Sequence, residues 1–144
     1  MIEQDTIKLL RECDAGIRMG IDSIDDVLEY VSSDDLKGRL VQCKDEHRIL
    51  EKETEKLLEN YHDDGKAPNP VAKGMSWIKT NTMLTLNESD NTVSDLITDG
   101  CNMGVKSLNK YLNKYAAADE KSKNIAKRLI RSEESLAVDI RRFL

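Results

Sequence analysis

The spacing of apolar residues constrains this chain more than any other feature of it. From about Thr6 to Val31 they fall at Ile7, Leu10, Ile17, Ile21, Ile24, Leu28 and Val31. Steps of three, four and seven line one face of an α-helix. A second stripe runs Leu36, Leu40, Cys43, His47, Leu50, Thr54, Leu57, Tyr61. A third runs Val93, Leu96, Ile97, Gly100, Met103, Gly104, Leu108, Tyr111, Tyr115, and a fourth, from about Asp119 to the end, Ile125, Leu129, Ser132, Leu136, Ile140, Phe143. Each helix has one apolar face, and four such faces are satisfied by burying them against one another. The expected fold is therefore an all-α four-helix bundle, a single domain over residues 1–144.

The breaks between stripes set the order of the helices. Ser32-Ser33-Asp34-Asp35 is short and supplies side chains able to cap the next helix, which forces the first two helices to run antiparallel. Ala116-Ala117-Ala118 is the weakest boundary, since alanine does not stop helices, but the short connection again implies an antiparallel pair. Between the two hairpins (1–64 and 91–144) lies a crossover, residues 65–90. It holds both prolines, Pro68 and Pro70, and Pro70 is expected to open a short helix from Val71 to about Leu86. A helix of ~26 residues spans about 39 Å. A crossover with a short helix and extended ends can travel that distance, so the second and third helices are expected to run parallel, the ferritin-like arrangement.

The chain is only 39% hydrophobic, yet that content is patterned, which argues against disorder. No apolar run approaches the ~18 residues of a membrane span, and the polar start MIEQDTIKLL does not read as a signal peptide. Three widely spaced cysteines make no disulfide framework. The expectation is a cytoplasmic protein of bacterial type. The net charge of −5 conceals an asymmetry. Residues 1–64 carry 9 Lys and Arg against 18 Asp and Glu, and the remainder 13 against 9. Two such halves favour docking on each other, within a chain or between subunits, and the acidic half makes nucleic acid a poor partner. Lys121, Lys123, Lys127, Arg128 and Arg131 are interleaved with Glu133 and Glu134 and read as a solvated face.

A di-iron bundle needs one Glu from each of two helices and a Glu-x-x-His from each of the other two. Here His62 lies at the end of the second helix, where it is expected to cap carbonyls. His47 is well placed, but Lys44 precedes it where Glu is required. The fourth helix offers Arg131-Ser132-Glu133-Glu134-Ser135 and no His. Asp25-Asp26 and Glu133-Glu134 are neighbours that do not face each other on a helix, and both read as solvated. A parallel second and third helix puts Cys43 level with Gly100 and Cys101, so Cys43, His47 and Cys101 converge, with Asp14 nearby. That set suits zinc better than iron. The plainer account is a pair of core cysteines and a hydrogen-bonded core histidine, and no cofactor is expected. Gly16 with Gly20, and Gly100 with Gly104, each cost about 1 kcal/mol inside a helix relative to Ala. Close packing, or a small pocket, has to offset that.

Val71-Ala72-Lys73-Gly74-Met75-Ser76-Trp77-Ile78-Lys79 resembles the crossover signature of the bacterial ferritin-like families of unknown function. Asp99-Gly100-Cys101-Asn102, followed by Val105 to Tyr111, resembles their third helix. The resemblance implies a compact, self-associating bundle, here a homodimer, that acts as a non-enzymatic structural or protein-interaction module. It also implies a place for metal, which this chain alters: Arg18 or Met19 stands where the first helix should give a carboxylate, Lys44 replaces Glu, and Ser135 or a neighbour replaces the last His. The competing expectation is a zinc or iron site rebuilt around His47.

Overall fold

The computed structural model describes residues 2–63 and 89–144. They form four α-helices, α1 (Ile2–Leu28), α2 (Asp34–Asn60), α3 (Asp90–Lys114) and α4 (Glu120–Asp139), followed by a 3₁₀ turn, Arg141–Phe143. No strand occurs among the described residues. The short helix expected from Val71 to Leu86, and the crossover around it, lie outside the described residues.

Three helices start on the residue types that free N–H groups demand. The Ser33 hydroxyl accepts from the Leu36 amide at 3.3 Å, Ser89 from Thr92 at 3.2 Å, and the Asp119 carboxylate from Ser122 at 2.8 Å. α2 ends by closing on itself. His62 takes a left-handed conformation, φ 56°, its N–H donates to the Glu59 carbonyl, and Asp63 N–H donates to that of Leu58, each at 3.0 Å. This is the Schellman pattern, with histidine where glycine is usual. His62 therefore caps carbonyls through its backbone. α4 stops earlier than the periodicity predicts. Ile140 and Phe143 both pack on the core, and the chain tightens into a 3₁₀ turn to bring them there.

Side chains at the starts of α1 and α3 tie down the loops and fix the directions. Asp90, opening α3, accepts from the amides of Ser32 and Ser33 in the α1–α2 loop at 2.7 and 3.0 Å. At the opposite end, Asp5 accepts from Ala117 N–H and Thr6 from Asp119 N–H, so the α3–α4 loop sits on the start of α1. α1 and α4 thus run one way and α2 and α3 the other. α1–α2 and α3–α4 are antiparallel hairpins, and α2 and α3 are parallel. The acidic and basic halves meet within the chain: Arg128 on α4 holds Glu53 on α2 through two bonds, 2.9 and 2.8 Å, and Arg142 reaches Asp35 at 3.3 Å.

The buried aliphatic side chains form two clusters. One, near the α1–α2 loop, gathers Ile24, Leu36, Leu40, Val93, Leu96 and Leu136. The other, towards the α3–α4 loop, gathers Leu9, Ile17, Leu50, Leu108, Ile125 and Leu129. On α2 the break falls between Cys43 and Leu50, on α3 between Cys101 and Leu108, and on α4 between Ile130 and Leu136. A layer of different composition separates the two halves.

Candidate functional site

That layer is built from His47 on α2 and Glu133 on α4. Helical spacing from Cys43 and Leu50 turns His47 inward, where it is 1% exposed. Its Nδ1 faces the Cys43 carbonyl at 2.9 Å. A carbonyl only accepts, so Nδ1 carries the hydrogen and Nε2 is turned to the bundle interior. There it meets Glu133, with Nε2 and Oε1 3.8 Å apart.

Glu133 corrects the reading of Glu133-Glu134 as a solvated pair. Successive residues on a helix diverge by about 100°, so Glu134 stays exposed while Glu133 is 8% exposed. The signal was in the stripe, since Glu133 is four residues after Leu129 and three before Leu136. Burial pushes the Glu133 carboxyl up, against the opposing pull of His47. Burial also disfavours the imidazolium, but the nearby Cys43 and Glu133 side chains outweigh it and His47 is pushed up to about 10. Both groups therefore hold their protons more tightly in the fold than when free. Oε2 of Glu133 has no hydrogen-bond partner among the described residues.

Two of the helical glycines make room for this pair. A Cβ on Gly20 would lie 2.8 Å from the His47 ring. A Cβ on Gly104 would overlap Glu133 Oε2 and sit 2.9 Å from its Cδ. Gly16 differs, because a Cβ there would meet only Leu129, at an ordinary 3.8 Å. Between α1 and α3 the glycines open a cavity of about 340 Å³. Gly16, Met19, Gly20 and Ile24 line it from α1, and Ile97, Gly100, Met103, Gly104 and Leu108 from α3. Its floor is Cys43, His47, Cys101 and Glu133. Met103, placed in the α3 stripe by the sequence, is 58% exposed at the rim. The pocket that the glycine pairs suggested is therefore present, and all four glycines line it.

Cys43, His47 and Cys101 come together, as the parallel register of α2 and α3 predicts. Asp14 does not join them. It is fully buried with Arg18 at 3.2 Å, and burial raises its carboxyl against Arg18, helped by Glu55 and Glu51 of α2. The three cysteines are free thiols.

The chain matches no family model, no curated protein and no solved structure.

The site's chemistry has to be read from its own atoms. Among the described residues no three His, Cys, Asp or Glu side chains are grouped to hold a metal ion. Lys44 is ion-paired with Asp25. A Cys–His nucleophile is not assembled either. Nδ1 is 3.6 Å from the Cys43 sulfur but its hydrogen is committed to the Cys43 carbonyl, so it cannot take a proton from the thiol. The single Ser132 hydrogen goes to Glu46 at 2.9 Å, which leaves the Cys43 S–H to donate to Ser132 Oγ at 3.6 Å. Burial pushes the Cys13 thiol up to about 12 and also raises Cys101, which makes both poor nucleophiles. The arrangement offers an apolar slot, a buried His–Glu pair and one acceptor atom unused among the described residues.

Proposed function

We propose that this protein is a non-enzymatic small-ligand-binding bundle of ferritin-like shape, and that its binding site is the groove between α1 and α3. The parallel course of α2 and α3 supports the ferritin-like shape, because a long connection between two hairpins produces that course. One observation carries the binding role: a cavity of about 340 Å³ between apolar walls reaches a buried carboxylate oxygen with no partner among the described residues. Ligand pockets have about that size and that composition, mostly apolar with a few convergent polar groups. Close packing accounts for Gly20 and Gly104 but not for Gly16, where a Cβ would meet only ordinary contact and glycine still costs about 1 kcal/mol in helix stability.

The test is titration with an uncharged environment-sensitive fluorescent probe, in the native chain and in Gly16→Leu. Gly16 lines the groove and a Cβ there starts with ordinary contact only, so a leucine is expected to fill part of it, with a native circular dichroism melt as the check on folding. Saturable binding to the native chain, lost in Gly16→Leu, is the expected result. Equal binding by both proteins, or none by either, would count against the groove.

A further inference from the structure

We infer that the groove takes an uncharged apolar molecule bearing a hydroxyl group, with that hydroxyl seated between His47 Nε2 and Glu133 Oε2. The inference rests on the reading of the groove as a binding site and adds the chemistry of its ligand.

The walls decide the body of the ligand. Met19, Ile24, Ile97, Met103 and Leu108 offer aliphatic and thioether surface, which gains from covering apolar groups. Besides the hydroxyls of Ser23 and Ser107, one turn from Gly20 and Gly104, polar lining occurs at Glu12 and Tyr111, about two helical turns away. An elongated molecule therefore lies along the helices with one polar end on the floor.

The floor decides that end. Nε2 and Oε1 are 3.8 Å apart, beyond hydrogen-bond length, and Oε2 has no donor among the described residues. The missing element is a group that accepts from Nε2–H and donates to a carboxylate oxygen. A hydroxyl does both with one atom. Charge gives the same answer. His47 and Glu133 are opposite in sign when ionised and neutral together when not, and the cysteines on the floor, Cys43 and Cys101, are free. A ligand ammonium would leave a net positive charge at a buried place, and a ligand carboxylate a net negative one. Each is costly in a site shielded from water. Glu12, the other carboxylate lining the groove, is on the far side of those two turns.

The experiment is calorimetric titration of the full chain, at neutral pH, with octanol, octanoate and octylammonium. These share one apolar body and differ at the end that meets the floor. The expected result is octanol binding about tenfold or more tightly than either ion. Two variants then change the charge of the floor. Glu133→Gln leaves the His47 ring without its anion, and preference passes to octanoate. His47→Gln leaves the carboxylate alone, and preference passes to octylammonium. If one variant fails to fold, the other still reads the exchange. An ion that equals or beats octanol on the native chain, with binding abolished by Gly16→Leu, overturns the hydroxyl inference and leaves the groove standing. No binding by any of the three overturns both.

Discussion

His47 occupies a position that the α2 stripe reserves for an aliphatic side chain, and Glu133 on the facing helix makes it tenable. A lone buried charge of either sign is costly, and an opposite charge nearby offsets part of that cost. The pair gives stability a definite pH dependence. His47 rises to about 10 in the fold from an ordinary 6.5, so its contribution is full below about 6.5 and is lost as pH rises through about 10. Glu133 is raised by burial, so its ionisation in the fold costs stability as pH rises. Both bind protons more tightly folded than unfolded, and stability falls with rising pH. Urea unfolding between about pH 6 and about pH 8.5, below the range in which thiols titrate, should show that decline. Its full extent is on the order of a few kcal/mol. His47→Gln should flatten the curve. The glycines give a sharper check. Gly20→Ala gains helix propensity but drives a methyl into the locked His47 ring, so the variant should lose about 1–3 kcal/mol. In a His47→Ala background the same change should gain about 1 kcal/mol. A reversal of sign in denaturant unfolding is the expected outcome. Half of this site was legible in the sequence. His47 and Cys43 stood on a stripe, and the parallel register placed Cys101, beside Gly100, at their level. Glu133 was on a stripe too, but its charged neighbour Glu134 hid it, because charge next to charge reads as surface.

At the scale of elements, starts were more legible than ends. Ser33 and Asp119 announce α2 and α4 because capping is local chemistry, a side-chain oxygen meeting an amide three residues on. The α3–α4 boundary at Ala116-Ala117-Ala118 has no local stop signal. It is held by Asp5 and Thr6 of α1, more than a hundred residues away in sequence, and no window along the chain contains them. The end of α4 is set in the same non-local way by Ile140 and Phe143 packing on the core. The end of α2 leads to a prediction of its own. His62 holds a left-handed backbone conformation that costs a side-chain-bearing residue about 1 kcal/mol or more. His62→Gly should therefore raise the thermal midpoint, by an amount worth about 1 kcal/mol, without altering helix content by circular dichroism. A fall in the midpoint would mean that the imidazole itself holds the α2 terminus.

For the whole molecule, helix number and direction followed from stripe spacing and loop length. The division of the interior did not. The hydrophobic periodicity runs through the middle of every helix as though one core filled the bundle. In the structure that core is two clusters with the His47–Glu133 layer between them, and the groove opens at that level. The glycine pairs marked the level in advance, since glycine inside a helix asks for a neighbour that needs its space. What could not be read was which neighbour, because that depends on the crossing of four helices. Glycine placement and ligand chemistry both turn on the His47–Glu133 pair inside the bundle and on where its proton sits. Nitrogen NMR of the His47 ring measures it directly. The pair predicts a ring protonated on both nitrogens at neutral pH, with its titration near pH 10 and shifted down in Glu133→Gln. A neutral ring at pH 7, unchanged by Glu133→Gln, would contradict the account.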